Sequence, residues 1–324
     1  MAVLVTGGAG FLGSHLVDRL VGDGEHVVVA DDLSTGRLAN VDRALATGRV
    51  TFVYLDFAAA REVVLEALER AASEKYRAIF HLASPASPIA YGSRPWQTLA
   101  VNAVGTMTLV EFAVRNGAMM LFASTSEAYG DPLVHPQPET YFGNVNPVGP
   151  RACYDEGKRF GEAAMSVAIK ELGLDGRIVR IFNCYGPRMD IDDGRLVPSL
   201  MAAARDRRPL PVHGDGKQTR SLTYVDDLVE GLLRVAERTD LGTLPVNLGS
   251  DDERSVTDIA RVIAEIAHAP FTVESLVARP EDPRQRRPDT SRARSIGWSA
   301  AVPLHEGLRR TYEWLLTDGL RYAS

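Results

Sequence analysis

Thr6-Gly7-Gly8-Ala9-Gly10-Phe11-Leu12-Gly13 joins an apolar run, Ala2–Thr6, to an amphipathic one, residues 11–21. Gly8-x-Gly10-x-x-Gly13 fits a dinucleotide fingerprint, and Gly7-x-x-Gly10-x-x-Gly13 fits its short-chain variant. Glycine lets the backbone turn tightly and approach a pyrophosphate, whose charge then sits on the N-terminus of the following helix. A glycine triplet alone is weak, but here a strand precedes it and a helix follows. Asp31-Asp32 then ends a second apolar run at the distance expected for a ribose-binding acid. A carboxylate there accepts from the 2′- and 3′-hydroxyls and repels a 2′-phosphate, so NAD is favoured over NADP even with Arg37 nearby. Asp56, just after the third apolar run, is placed either to meet adenine or to cap a helix. Gly7, Gly10, Phe11, Leu12, Gly13, Asp31, Asp32 and Asp56 are therefore candidate cofactor residues.

The pattern continues outward from this loop. Residues 26–30, 50–55, 78–82, 119–124 and 177–182 read as further buried strands. Residues 11–21, 62–72, 95–115 and 153–172 read as helices between them. Such alternation predicts an α/β fold, a Rossmann-type doubly wound parallel sheet. After Asn183 prolines break the rhythm, and 195–208 and 304–316 read as isolated helices. Residues 280–288, Pro-Glu-Asp-Pro-Arg-Gln-Arg-Arg-Pro, cannot be a helix interior. The expected organisation is an NAD-binding domain at 1–182 and a smaller C-terminal substrate-binding lobe at 183–324. Within the latter, 222–250 is expected to return to the first domain.

Composition excludes several classes. The 324 residues carry a formal net charge of −6, which gives no general attraction to nucleic acid or anionic membrane. No stretch is long and apolar enough to span a bilayer, and the start reads as a strand rather than a signal peptide. Two cysteines, Cys153 and Cys184, make no disulfide framework, and seven histidines lack metal-ligand spacing. A cytoplasmic enzyme without a metal is the expectation.

Tyr154 and Lys158 lie one helical turn apart in Tyr-Asp-Glu-Gly-Lys, in a chain with only four lysines. Side chains at that spacing share a face. An ammonium roughly 6 Å from a phenol, at an effective dielectric near 20, favours phenolate by about 2.8 kcal/mol. That would bring a phenol from about 10 toward about 8, suited to a base acting on a sugar hydroxyl. Thr125, Ser126 and Glu127 follow the fifth strand, at the carboxyl end where ligands of such sheets lie. Alone, a polar turn and a solvated lysine would explain these residues; together with the fingerprint they point to catalysis.

These segments carry a resemblance that covers essentially the whole chain. It resembles the extended short-chain dehydrogenase/reductases that act on nucleotide sugars, and within them the UDP-glucuronic acid decarboxylases. The resemblance rests on His81-Leu-Ala-Ser-Pro-Ala-Ser-Pro88, Ser124-Thr-Ser-Glu-Ala-Tyr-Gly-Asp-Pro132 and Gly149-Pro-Arg-Ala-Cys-Tyr-Asp-Glu-Gly-Lys158. It extends through Arg180-Ile-Phe-Asn-Cys-Tyr-Gly-Pro-Arg-Met189, Gly214-Asp-Gly-Lys-Gln-Thr-Arg-Ser221 and Arg286-Arg-Pro-Asp289. Departures are modest: Asp31-Asp32-Leu33-Ser34 replaces a usual Asp-Asn-Phe-Phe, Phe142 a tryptophan, Ala128 a valine and Cys184 a threonine.

The resemblance implies NAD as cofactor and UDP-glucuronate as substrate, oxidised at C4, decarboxylated, protonated at C5 and reduced again to UDP-xylose. It implies Tyr154 as base with Lys158 beside it, Thr125 at the C4 oxygen, Ser126 and Glu127 near C5, and Arg286 near the sugar carboxylate. Leu82, Ala83 and Asn102 fall on the cofactor side. Asn183, Arg188, Gln218, Arg220 and Tyr224 fall on the substrate side. A homodimer is implied through a four-helix bundle of 95–115 and 153–172. Rival readings are a dTDP-glucose 4,6-dehydratase, which wants an aspartate where Ser126 stands, a nucleotide-sugar 4-epimerase, and a silent nucleotide-sugar-binding protein or redox sensor.

Overall fold

In a computed structural model, which describes residues 1–72, 74–278 and 281–319, seven strands form one sheet. They are β1 (Ala2–Thr6), β2 (Val27–Asp31), β3 (Val50–Tyr54), β4 (Tyr76–His81), β5 (Met119–Thr125), β6 (Gly176–Ile181) and β7 (Val246–Leu248). Their spatial order is β7-β6-β5-β4-β1-β2-β3, and every pairing is parallel. The chain leaves β1 in one direction and returns at β4 to run in the other, which opens a crevice at their carboxyl ends.

The apolar runs are continuous because both faces of the sheet are covered. Side chains alternate between two separate cores. Val3, Val5, Val27, Val29, Leu121 and Ala123 face one cluster, while Ala2, Leu4, Val28, Ala30, Met120 and Phe122 face the other. Helices Phe11–Gly22 and Val225–Ala236 cover the first face with Leu16, Val17, Leu228 and Leu232. Helices Arg61–Ala71, Thr106–Asn116 and Ala152–Glu171 cover the second with Leu68, Phe112 and Met165. The C-terminal part adds helices Leu196–Arg205, Val256–Ile266 and Leu304–Thr317 and the parallel pair Leu210–His213 and Val273–Leu276. Its Leu200, Ile259, Ile263 and Leu308 belong to the same cluster as Val3 and Leu16.

The helix expected at 95–115 is not uniform. It runs Pro95–Ala100, widens into a π turn at Val101–Gly105, and resumes at Thr106–Asn116. Crowding accompanies the irregularity. A Cβ on Gly105 would sit 2.9 Å from the Phe57 carbonyl, and one on Gly157 would sit 3.2 Å from the Asn102 Cβ. The helix expected at 195–208 ends at Arg205, since Arg207 takes a left-handed φ of 54°. Pro280 of the proline-rich stretch lies outside the described residues; residues 281–289 contain no helix.

The Ala152–Glu171 helix lies tightly on β5. A Cβ on Gly161 would run into the Phe122 ring, with the ring carbon Cε1 at 2.8 Å. Phe122 is fully buried and cannot easily yield. Gly161→Ala is therefore expected to destabilise the protein by about 1–3 kcal/mol, read as a lower urea midpoint; an unchanged midpoint would refute this packing.

Candidate active site

A cavity of about 720 Å³ opens at the carboxyl ends of β1, β2, β4, β5 and β6 and is closed by the C-terminal lobe. Gly7, Gly10, Phe11, Leu12, Gly13, Asp31, Asp32, Asp56, Leu82 and Ala83 line one end. Thr125, Ser126, Glu127, Tyr154 and Lys158 line its middle, and Asn183, Arg188, Gln218, Arg220 and Arg286 its far wall.

The glycine loop is built by exclusion. Gly7 has a φ of 69°, and a Cβ there would lie 2.8 Å from the Ala83 backbone, so only glycine lets the ends of β1 and β4 meet. A Cβ on Gly13 would collide with the Gly7 carbonyl. Gly10 offers no side-chain cap to the helix that starts at Phe11, so its first N–H groups stand ready for an anion. Asp31 accepts from the Ala9 amide at 2.9 Å and the Leu33 amide at 2.8 Å, locking the glycine loop to β2. Burial pushes its carboxyl up despite those bonds. Asp32 accepts from Ser34 and Asp56 from Ala58, so each also shapes its own turn. Arg37 reaches Asp190 at 3.3 Å. These features fit a dinucleotide: a collision-free cradle, a helix N-terminus and an acid at the end of β2.

Two expected residues lie behind the wall rather than in it. Asn102, fully buried in the π turn, donates to Ser84 Oγ at 2.9 Å and to the Thr98 carbonyl at 2.8 Å. Tyr224 packs edge-on against Tyr185 with ring centres 5.7 Å apart, beneath Arg310. Arg188 lines the cavity but spends one nitrogen on Asp18 at 2.6 Å. Its Nη1 and the Asn183 Oδ1 are buried without a protein partner, polar atoms that a bound ligand can satisfy.

The Tyr154 phenol lies beside Thr125, and its ring is stacked on Tyr91, ring centres 5.2 Å apart and planes 10° from parallel. Lys158 donates to the Ala123 carbonyl at 2.8 Å and stands 5.9 Å from the Tyr154 ring centre. The spacing matches the expected pair, but the expected lowering of the phenol does not follow in the protein alone. Burial pushes the Tyr154 phenol above its ordinary value. Burial likewise lowers Lys158 to about 7. A lysine with that value is only partly charged near neutral pH, which reduces the positive charge it offers the phenol. The pair needs a further cation at the site, or tight contact with the substrate hydroxyl, to deprotonate Tyr154.

Glu127 is the electrostatic centre of the site. Arg286 grips it with two bonds, Nη1–Oε1 2.5 Å and Nη2–Oε2 2.8 Å, and Arg151 bonds the same Oε2. Burial works to raise its carboxyl, but Arg286 and then Arg151 outweigh burial and hold it below the usual range. Arg220 stands near, tied to Asp282 at 2.7 Å and the Pro283 carbonyl at 2.9 Å. Asp155, beside Tyr154, is pushed to about 7 by burial and by Glu127.

Arg151, Tyr91 and His81 were not assigned from the sequence. Arg151 sat in the quoted Gly-Pro-Arg run, and a charge three residues before Tyr154 was its available signal. His81 bridges Thr6 at 2.8 Å and Thr106 at 3.1 Å. Thr106 gives its proton to the Asn102 carbonyl, so the histidine Nε2 donates to Thr106 and Nδ1 accepts from Thr6. Burial lowers His81 to about 3, which keeps it neutral. The same Thr6 hydroxyl receives the Ala83 amide, so this chain fixes the floor of the cofactor end.

Residues 3–249 match the NAD dependent epimerase/dehydratase family. UDP-glucuronic acid decarboxylase 3 of Arabidopsis thaliana is 44% identical over 310 residues, 95% of this chain and 87% of that one. UDP-glucuronic acid decarboxylase 1 of Xenopus tropicalis is 44% identical over 313 residues, 96% of this chain and 71% of that one. Among solved structures, UDP-glucose 4-epimerase of Thermotoga maritima with UDP-glucose aligns with a TM-score of 0.88 at 30% identity, covering 98% of this chain and 99% of that one. A dTDP-glucose 4,6-dehydratase of Streptomyces venezuelae with NAD bound aligns at 0.87 and 26% identity, covering 98% of each.

The depressed Lys158 has a consequence for stability. Its folded value, about 7, lies below its ordinary 10.5, so the unfolded chain binds this proton more tightly. Its cost is complete below about 7 and fades as pH rises toward 10.5. Thermal stability of the cofactor-free protein is expected to rise from about pH 7 to about pH 9, with a smaller rise in Lys158→Met. Parallel curves for the two proteins would refute the assignment.

Proposed function

The chain belongs to the NAD dependent epimerase/dehydratase family, and from that premise we propose that it decarboxylates UDP-glucuronate to UDP-xylose. The observation that carries the reading is the buried Glu127–Arg286–Arg151 cluster set beside Thr125, Tyr154 and Lys158. One half of the site suits a hydroxyl and the other an acid. A carboxylate on a saturated sugar carbon has no electron sink, and a ketone at the neighbouring C4 provides one. Carbon dioxide then leaves to an enolate, which is protonated at C5, and the C4 carbonyl is reduced again. NAD, when bound, supplies the two-electron acceptor for this cycle and is regenerated, so the net reaction is that of a lyase.

Tyr154 takes the C4 hydroxyl proton and later returns it, with Thr125 donating to the C4 oxygen as charge develops there. Lys158 would hold the nicotinamide ribose, and Asp31 and Asp32 would receive the adenosine ribose. Arg286 and Arg151 receive the sugar carboxylate by charge-assisted bonds. A carboxylate that draws them away releases Glu127 from its partners and raises its proton affinity, which suits it to carry the C5 proton. Arg188, Arg220, Asn183 and Gln218 hold the nucleotide diphosphate and sugar. Ser126 is a poor acid for expelling a C6 hydroxyl, which disfavours the 4,6-dehydratase reading despite the structural likeness. With Cys153 and Cys184 both free, we assign the protein to the cytoplasm.

We also propose a homodimer. Trp96, Val104, Met107 and Val114 on the 95–116 helices, and Phe160 and Val167 on Ala152–Glu171, are exposed apolar side chains on outward faces. Two copies of this face would pair as a four-helix bundle. Wild type is expected to sediment as a dimer at micromolar concentration and Met107→Glu/Val167→Glu as a monomer. A monomeric wild type refutes the pairing.

Incubation with NAD and UDP-glucuronate is expected to release carbon dioxide and form UDP-xylose, leaving UDP-glucose and dTDP-glucose unchanged. Tyr154→Phe should abolish both C4 oxidation and carbon dioxide release, and Glu127→Gln should slow release and C5 protonation. Interconversion of UDP-glucose without carbon dioxide release from the glucuronate would overturn the reading in favour of an epimerase.

A further inference from the structure

Glu127 and Arg286 meet as a pair, yet they stand on segments 159 residues apart. Glu127 lies in a single 3-10 turn, Ser126–Tyr129, and Arg286 in the irregular stretch 281–289. The Glu127 turn continues from β5, with its own N–H on Thr125 Oγ1 at 3.2 Å, whereas the Arg286 stretch belongs to no strand. Asn247, the central residue of β7, links the two. Its Oδ1 accepts from the Tyr129 hydroxyl at 2.7 Å. Its Nδ2 donates to the Gln137 carbonyl at 2.9 Å and to the Asp289 carbonyl at 3.2 Å. Tyr129 stands two residues beyond Glu127, and Asp289 three beyond Arg286.

The amide is fully buried and both of its donors are used. Gln137 extends the connection along the Arg286 segment. Its backbone N–H donates to the Arg287 carbonyl, its Oε1 accepts from the Arg287 N–H, and its carbonyl accepts from the Asp289 N–H, each at 2.9 Å. None of these bonds touches the hydroxyl-oxidising half of the site. Thr125 ends β5, the Tyr154 phenol lies beside it, and Lys158 bonds Ala123 on the same strand.

We infer that Asn247 is a positioning residue that sets Arg286 against Glu127, so that carbon–carbon cleavage depends on it while C4 oxidation does not. The inference rests on the decarboxylase reading above. The oxidising half is carried by β5 with the Ala152–Glu171 helix, which also hold Glu127 through its N–H on Thr125 Oγ1 and through Arg151. The Arg286 stretch, held at its Arg286 carbonyl by the Ser221 N–H, reaches the sheet at β7 through Asn247. Loosening β7's side-chain link shifts Arg286 relative to the substrate carboxylate and leaves the Thr125–Tyr154 contact in place.

The test uses the NAD-loaded enzyme and a single turnover of UDP-glucuronate. Reduced-nicotinamide absorbance reports C4 oxidation, and trapped carbon dioxide reports cleavage. Asn247→Leu keeps the size and removes all three bonds, while Tyr129→Phe removes one and keeps the ring. In Asn247→Leu, oxidation is expected within about threefold of wild type and cleavage slower by about ten- to a hundredfold. Reduced cofactor should then accumulate. Tyr129→Phe should show a smaller effect in the same direction and carries the test if Asn247→Leu does not fold. Calorimetric affinity for UDP should be unchanged in both. Equal slowing of the two half-reactions, or of neither, overturns the inference. Absence of carbon dioxide release from wild type overturns the decarboxylase reading and this inference with it.

Discussion

The close approach of β1 and β4 governs where everything else in this molecule can be. Gly7 at the end of β1 lies against the backbone of Ala83 beyond β4, at a distance that leaves no room for a side chain. At this seam the chain reverses its direction of travel across the sheet. The glycine loop, the Asp31 brace and the His81 chain all converge there. Helices on either side diverge from it and leave the crevice that the C-terminal lobe roofs. The strands then deliver Thr125 and Phe182 to the same edge at regular spacing. The site is thus a property of the sheet's topology before it is a property of any one side chain.

Upon that frame sits an unusual concentration of buried charge. Arg151, Arg220 and Arg286 face Glu127, Asp155 and Asp282 within one end of the cavity. Ionised groups out of water are costly unless paired; Glu127, Arg286 and Arg220 are closely paired here, while Arg151 Nε and Asp155 Oδ1 are left without a hydrogen-bond partner in the protein. Tyr154, Lys158 and His81 follow another rule: burial outweighs their charged neighbours and favours the neutral form of each. Chemistry on a hydroxyl and chemistry on a carboxylate are segregated by these two environments, although their centres are adjacent.

Much of the fold was legible from residue types. Runs such as Ala-Val-Leu-Val-Thr and Val-Val-Val-Ala-Asp, apolar up to their last residue, leave no polar face, so they read as strands covered on both sides. The glycine loop and Asp31 are local in sequence, and a local pattern can be read. The Tyr154/Lys158 pair was legible for the same reason, since four residues make one helical turn. What escaped depended on distant partners. Asn247 is one residue in a short strand until Tyr129, Gln137 and Asp289 are placed around it. The π turn at Val101–Gly105 follows no propensity; it accompanies crowding by Phe57 and Gly157. The direction of the Tyr154 shift was misjudged because a four-residue spacing says nothing of burial, which governs both members of the pair.

One core cluster runs unbroken from β1 through the helices Phe11–Gly22 and Val225–Ala236 into Leu200, Ile259 and Leu308 of the C-terminal part. Two lobes that share a core cannot swing apart without exposing it to water. A hinged opening of the kind that separates independent domains is therefore closed to this protein. The ligand therefore meets a cavity whose walls keep a fixed spacing, with Asp31 and Arg286 both in its lining. Discrimination among ligands then rests on fit to walls already in place rather than on a closing movement.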